Sequence, residues 1–171
     1  GIAAARGGNA LGVIGVCPYC KILPIRVGFS IQESDGEIDG LLEDAAIINA
    51  LYYATDHGAR IISMSFGGTG FSENVKKAID YARARHVVLV AAAGNSYRDE
   101  ISYPAGYDGV ISVTASDSSD KKAGFSNYGY WTDIAAPGVD ILSTVPKVGS
   151  LSDSSGYMKL SGTSMATPYI A

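Results

Sequence analysis

The sequence has 171 residues, of which 47% are hydrophobic and 18% are charged, and its formal net charge is −4. This length and composition are typical of one globular domain and exclude an intrinsically disordered chain, so we treat residues 1–171 as a single domain. No basic cluster indicates nucleic acid as a partner, and no apolar run is long enough to cross a membrane.

The first distinctive motif in chain order is CPYC, Cys17–Cys20. Such a pair is typical of dithiol oxidoreductases when a helix follows it, because the helix N-terminus stabilises the thiolate. Here an apolar run containing Pro24 follows, which favours a local structural pair such as a disulfide-closed turn. One pair is also only half of a usual zinc site, and neither histidine is near it in sequence. A dithiol oxidoreductase is therefore the least favoured function.

Strands and helices are predicted to alternate along the rest of the chain. Apolar runs rich in β-branched residues predict strands at Lys21–Val27, Arg60–Phe66, Val87–Ala93, Gly109–Ala115 and Asp140–Val145. Helical spacing predicts helices over Ile38–Asp56, and from Ser72, as its N-cap, to about Arg85. The almost continuously apolar strands indicate an α/β fold, in which a mostly parallel sheet is covered by helices on both faces.

Two smaller features accompany these elements. The acidic segment Gln32–Asp39 is predicted to be a solvated surface loop that leads into the first helix. Functional sites in parallel sheets gather at the carboxyl ends of the strands, so the residues that follow each strand are the ones to search for chemistry.

Three segments carry groups suited to acyl transfer. In SGTSMATP, Ser164 is predicted to lie in the first turn of a buried helix, where its backbone N–H has no helical partner. In AAAGNS, Asn95 follows a strand and offers an amide donor just beyond the sheet. In SFGG, glycines that follow another strand allow a second backbone to approach. A serine nucleophile with two N–H donors is the minimum set for reaction through an oxyanion.

In this chain order, ISMSFGG, AAAGN and GTSMATP resemble the corresponding motifs of the subtilisin-like serine proteases, the subtilases. The likeness extends over essentially the whole chain and includes GVIGVCPYCKILPIRV, YPAGYDGVISVTASD, FSNYG and AAPGVDILST. It implies a partial three-layer subtilisin-like fold and a secreted, extracellular hydrolase that cleaves polypeptide substrates. It also implies a cis peptide bond at Tyr103–Pro104 and a change of packing only at Tyr169, where the family usually has histidine.

The resemblance assigns roles to particular residues. Ser164 is implied to be the nucleophile, and Asn95 the side-chain donor of the oxyanion hole, with the Ser164 N–H as the second donor. The residues implied to form one wall of the substrate cleft are Ser65, Phe66 and Gly67. The opposite wall of the pocket for the residue before the scissile bond is implied to consist of Ala92, Ala93 and Gly94, which leave room for an apolar or aromatic side chain.

The sequence lacks an obvious base for this serine. Its two histidines precede predicted strands, so His86 would lie roughly 25–30 Å from Asn95 along the intervening strand. We interpret His57 as a helix-end residue and His86 as a turn residue at a position where the family often has glycine.

The N-terminal GIAAA resembles the end of the family's histidine box. The resemblance therefore implies that the catalytic Asp and His lie in a missing N-terminal segment of the same protein. The chain alone is then expected to be inactive and to aggregate, because apolar sheet surface is left uncovered. A pseudoprotease or peptide-binding module of the same fold is the alternative.

No cofactor is needed for the chemistry, but the resemblance implies structural Ca²⁺, which prefers oxygen ligands. One implied group consists of the Asn9 side chain and the carbonyls of Leu11 and Val13. A second, weaker group consists of the carbonyls of Ala105, Tyr107 and Val110 together with Asp117. A solvated turn without an ion is the alternative for each group.

Overall fold

A four-stranded parallel sheet forms the centre of the structure, a computed structural model that describes residues 1–32, 38–149 and 153–171. Its strands lie in the order β3 (Ile61–Met64), β4 (Val88–Ala92), β5 (Val110–Ser116) and β6 (Ile134–Pro137). The remaining elements are β1 (Gly28–Gln32), β2 (Ile38–Leu42), α1 (Asp44–Asp56), α2 (Glu73–Arg83), β7 (Ile141–Thr144), β8 (Tyr157–Leu160) and α3 (Thr163–Ile170). Three of the five predicted strands thus supply β3, β4 and β5 of the sheet, whereas β6 was not predicted. Asp140–Val145 contains β7, which forms a separate hairpin with β8.

Helices cover both faces of the sheet, as predicted. Successive residues of β4 point to opposite faces, so Leu89 and Ala91 join the core beneath α1 and α2, and Val90 joins the core beneath α3. All three are fully buried. The result is the three-layer α/β arrangement of a subtilisin-like fold.

Helix α2 forms where its capping signal predicts. The Ser72 side chain accepts a hydrogen bond from the Val75 N–H, and the apolar side of the helix is buried against β4. The chain then turns at His86, whose φ of 61° confirms the interpretation of this residue as a turn position of the kind that glycine usually occupies.

Two predicted elements are wrong. Lys21–Val27 is not a strand: within the described residues it has no ladder partner, and Ile22 is 62% exposed. Ile38–Leu42 is not the start of a helix, because it pairs antiparallel with β1, and the helix begins only at Asp44. This pairing overrides the helical spacing, which Gly40 already weakens. Most of the acidic segment, residues 33–37, lies outside the described residues, so its interpretation as a surface loop stays a prediction.

Cys17 and Cys20 form a disulfide that closes a short turn, in which the Cys20 N–H donates to the Cys17 carbonyl at 3.0 Å. Residues 21–27, directly after the pair, are not helical, so the prediction of a local structural pair is confirmed. The Tyr103–Pro104 peptide bond is cis, as the resemblance implied. None of the helices in the described part of the chain has the length and apolarity of a membrane span.

Candidate active site

The end of the central sheet brings together the three segments singled out in the sequence. Ser65 follows β3, Asn95 follows β4 by three residues, and Ser164 is the second residue of α3, which packs on the sheet. Glycine at position 94 lets the chain turn sharply after β4, because its φ is 102°. Strand ends and a helix N-terminus therefore meet at one place.

A cavity of about 220 Å³ lies at this place, and both Ser164 and Asn95 line it. The other lining residues are Phe66, Gly67, Gly68, Thr69, Ala92, Gly94, Ser96, Arg98, Glu100, Ser102, Asn127 and Thr163. The nucleophile and the amide that the resemblance implies thus face the same space.

The Asn95 side chain is held in one orientation by Thr163. Its Oδ1 accepts hydrogen bonds from the Thr163 N–H at 2.8 Å and from the Thr163 hydroxyl at 2.9 Å. Since a backbone N–H can only donate, the atom facing it must be the oxygen. The Nδ2 group is consequently left to donate elsewhere, which is the orientation that an oxyanion hole requires.

Ser164 joins the helix to the end of β3. Its Oγ donates to the Ser65 carbonyl at 3.0 Å, and the Ser65 Oγ donates to the Ser164 carbonyl at the same distance. Near the N-terminus of α3, the Ser164 N–H has no acceptor one turn back and lies at the positive end of the helix dipole. A negative charge formed beside Ser164 would be stabilised there.

The walls of the cavity agree in part with the expectations. Phe66 and Gly67 line one side, and Ala92 and Gly94 line the other. Ala93 does not line the cavity: its side chain is fully buried, and its carbonyl accepts from Asn127 Nδ2. Ser65, also expected in the wall, does not line the cavity and instead exchanges two hydrogen bonds with Ser164.

Gly67 allows the close approach of a second segment, which carries Ser102 and Tyr103. Gly68 and Tyr103 exchange two backbone hydrogen bonds, of 2.9 and 2.7 Å. A Cβ atom at Gly67 would lie 2.7 Å from the Ser102 hydroxyl, a distance that real Cβ atoms essentially never show. Gly67 therefore shapes the cavity by letting this segment pack against its wall.

Sequence reasoning missed several lining residues, namely Thr163, Asn127, Ser102, Arg98 and Glu100. Thr163 directly precedes the serine, and Asn127 lies in the FSNYG motif, so both could have been found as polar residues within recognised motifs. Arg98 and Glu100 carry no motif, and their ion pair, at 3.5 Å, is visible only once the loop is folded.

Neither histidine approaches the cavity. His57 ends α1, where its Nδ1 lies 2.8 Å from the Tyr53 carbonyl and its ring stacks on Tyr53. His86 follows α2 and precedes β4. Both lie at the amino ends of strands, as expected, and the described residues thus place no imidazole beside Ser164.

The first metal group lies in one loop. Asn9, Leu11 and Val13 surround an open cavity of about 270 Å³ in residues 7–14, and the Asn9 Oδ1 accepts from the Leu11 N–H at 3.1 Å. The side-chain and carbonyl oxygens of such a loop suit a hard cation. Residues 7–14 contain no Asp or Glu, so a carboxylate ligand would have to come from another part of the polypeptide.

The second metal group is wrong. Val110 begins β5 and Asp117 follows its last residue, so the two lie roughly 20 Å apart along the strand. Ala105 and Tyr107 precede the same strand and belong with Val110 at its amino end. Asp117 instead accepts backbone N–H bonds from Lys121 and Ser119, which lower the pKa of its carboxyl group.

Comparison with known proteins gives consistent matches over this chain. The Subtilase family matches residues 1–171. Thermitase from Thermoactinomyces vulgaris is 42% identical over 171 residues, which are 100% of this chain and 56% of that protein. Subtilisin DY from Bacillus licheniformis is 40% identical over 167 residues, which are 95% of this chain and 56% of that protein.

Solved structures give the same result. The self-cleaved protease domain of PatA superposes with a TM-score of 0.79 at 30% identity, and the match covers 96% of this chain and 59% of that one. The chain therefore spans a little over half the length of each of these three relatives.

Proposed function

The chain belongs to the subtilase family of serine proteases, and from this premise we propose that it supplies the nucleophile and the oxyanion hole of a serine endopeptidase. The observation that carries the proposal is the shared cavity of Ser164 and Asn95, with Thr163 holding the Asn95 oxygen so that Nδ2 remains a donor. Peptide bonds of polypeptide substrates would be hydrolysed there.

The reaction would proceed through an acyl-enzyme. The Ser164 Oγ attacks the scissile carbonyl and gives its proton to a base, and the carbonyl oxygen becomes an oxyanion. Asn95 Nδ2 and the Ser164 N–H donate to that oxygen. The base then gives its proton to the leaving nitrogen, the C–N bond breaks, and the amine departs while the ester remains on Ser164. Water afterwards hydrolyses the ester. In the structure Ser164 Oγ donates to the Ser65 carbonyl, a bond that must break before attack.

The base is proposed to lie outside residues 1–171. A serine hydroxyl is a weak nucleophile without a base, and His57 and His86 are at the opposite ends of their strands. We propose that an N-terminal segment of the same protein contributes a His and an Asp beside Ser164. The isolated chain would then be inactive.

Substitution of the nucleophile tests this function. In the full-length protein, Ser164→Ala should lower kcat on casein by about 10⁶-fold, a magnitude taken over from the family member subtilisin. Asn95→Ala should lower kcat by about 10²–10³-fold, again on the subtilisin scale. Casein hydrolysis by the full-length protein that does not depend on Ser164 would refute the proposal.

The isolated chain provides the second test. Ser164-dependent turnover of casein by residues 1–171 alone would refute an external base. A full-length protein without a His and an Asp beside Ser164 would instead support the alternative, a peptide-binding module that uses the same cleft. Peptide binding without cleavage, measured by calorimetry, would distinguish that module from the protease.

Location and metal content are further parts of the proposal. The disulfide Cys17–Cys20 supports an extracellular protein, because disulfides persist in oxidising compartments. We propose that the loop of residues 7–14 holds a structural Ca²⁺ through Asn9 Oδ1 and the carbonyls of Leu11 and Val13. A chelator should then lower the melting temperature of the full-length protein, and Asn9→Ala should make that temperature insensitive to the chelator.

A further inference from the structure

A second segment of the chain runs along the loop that carries Asn95. The Asn127 N–H donates to the Gly94 carbonyl at 2.9 Å, and the Tyr97 N–H donates to the Phe125 carbonyl at 2.9 Å. A third bond, of 3.2 Å, joins the Tyr128 N–H to the Arg98 carbonyl. The loop after β4 is therefore fixed along its length by residues 125–128.

The Asn127 side chain bonds to this loop on both sides of Asn95. Its Nδ2 donates to the Ala93 carbonyl at 2.9 Å, before Asn95 in the chain. Its Oδ1 accepts from the N–H groups of Ser96, at 2.9 Å, and Arg98, at 3.2 Å, after Asn95. With 6% of its surface exposed, Asn127 makes these bonds almost out of contact with water, where unpaired polar groups are costly.

Gly94 allows Asn127 to come this close. A Cβ atom at position 94 would lie 2.6 Å from Asn127 Nδ2, and the φ of 102° at Gly94 also favours glycine. Asn127 and Gly94 thus pack directly against each other, and Gly94 is next to Asn95 in the chain. Both residues line the cavity that Ser164 and Asn95 share.

We propose that Asn127 is a positioning residue for the oxyanion hole. Thr163 orients the Asn95 amide from the side of α3, and Asn127 fixes the backbone from which that amide projects. Donors stabilise an oxyanion only when they are held in place before the reaction, and a displacement of about 1 Å can cost about 100-fold in rate. This inference rests on the proposed protease function.

The first experiment measures kcat and KM of Asn127→Ala in the full-length protein with a chromogenic peptide. Because the donor is displaced while the cavity walls at Phe66, Gly67 and Ala92 remain, we expect kcat to fall by about tenfold to 100-fold and KM to stay within about twofold. If Asn127→Ala does not fold, Asn127→Ser replaces it, because a single serine hydroxyl cannot make the bonds to Ala93, Ser96 and Arg98 that the Asn127 amide makes.

The second experiment combines Asn127→Ala with Asn95→Ala. If Asn127 acts through the Asn95 amide, its substitution should change kcat little once that amide is gone, so the two effects should be strongly non-additive. An equal loss of kcat in both backgrounds would overturn the inference, because a general structural role predicts additivity.

Ser112→Ala is the matched control. Like Asn127, Ser112 is buried, and its hydroxyl lies within hydrogen-bond distance of the Trp131 carbonyl and the Asp133 carboxylate. Ser112 lies within β5, however, and does not line the cavity. It should lower the melting temperature without changing kcat. A normal kcat for Asn127→Ala in an active, Ser164-dependent enzyme would refute the positioning role alone, whereas loss of Ser164 dependence would refute the protease function.

Discussion

The central sheet and the N-terminal segment of residues 1–27 differ sharply in how they are held. In the sheet, Leu89, Val90 and Ala91 have no exposed surface, and helices cover both faces. In the N-terminal segment, Leu11 is 69% exposed and Ile14 is 65% exposed. Large exposed apolar surfaces are usually interaction sites.

The candidate catalytic residues and the exposed apolar residues therefore lie in different regions of the chain. Ser164, Asn95 and Asn127 all rest on the sheet and its helices, so the chain itself can position them. The N-terminal segment is held by backbone bonds between residues 1–5 and 15–17, such as Gly15 N–H to the Ala5 carbonyl at 2.9 Å, and by the disulfide. Its uncovered apolar residues would be available for contact with the further N-terminal polypeptide that we propose to contribute the His and the Asp.

Matched leucine substitutions test this comparison with the largest expected effect. Leu89→Ala should lower the free energy of unfolding of the chain by about 2–5 kcal/mol, because it removes buried apolar atoms and leaves a cavity. Leu11→Ala should change it by about 0.5 kcal/mol or less, since the side chain is mostly in water already. Urea unfolding measures both values.

Leu89→Ala and Leu11→Ala can also be compared in the full-length protein. If additional polypeptide covers the N-terminal segment there, the effect of Leu11→Ala should grow while that of Leu89→Ala stays the same. Equal effects of the two substitutions in the isolated chain would show that the N-terminal segment is as well packed as the sheet, and the comparison would be wrong.

Removing the disulfide should have a smaller and more local effect. Closing a loop of four residues stabilises the folded state by about 2 kcal/mol in the chain-entropy estimate, less than a longer loop would. Replacing Cys17 and Cys20 by serine should therefore raise amide hydrogen exchange in residues 1–20 and leave exchange in β4 and β5 unchanged. Faster exchange throughout the sheet would mean that the two regions unfold as one unit.

The sequence predicts the central sheet better than it predicts the N-terminal segment. In the sheet, the apolar runs of β3, β4 and β5 and the cap at Ser72 lie close to their predicted places, because each buries its own apolar side against neighbours that the chain contains. Lys21–Val27 has the same kind of apolar run but no ladder partner within the described residues, so it does not form a strand. An apolar pattern predicts burial, and a strand also needs something to pair with.

The site shows a similar limit. Ser164 and Asn95 come from motifs, and their neighbours in the fold could not be read from them. Asn127 lies 32 positions after Asn95 and reaches the loop only because its segment folds back along it. The prediction of Asp117 as a metal ligand was wrong for the opposite reason: Asp117 and Val110 are close in sequence, but an extended strand holds them apart.

The smallest predicted effect concerns the alkaline stability of the sheet region. Burial raises the pKa of Tyr107, despite the opposing effect of its bonding to Ser72. Its hydroxyl donates to the Ser72 carbonyl and accepts from the Ser72 N–H, both at 2.9 Å. Because Ser72 is the N-cap of α2, these bonds stabilise the start of that helix. Tyr107→Phe should therefore lower the free energy of unfolding by about 1 kcal/mol at neutral pH.

The pH dependence of this contribution follows from the direction of the shift. The folded state holds the Tyr107 proton more tightly than the unfolded state, whose tyrosine pKa is about 10. The contribution is complete below about pH 10 and is lost as the pH rises through the folded pKa. The difference between wild type and Tyr107→Phe should accordingly shrink above about pH 10. Tyr19→Phe, in the N-terminal segment with 95% of its surface exposed, is the matched control and should equal wild type at every pH. A constant difference for Tyr107→Phe across the alkaline range would show that ionisation of this buried phenol is not coupled to the folding of the sheet region.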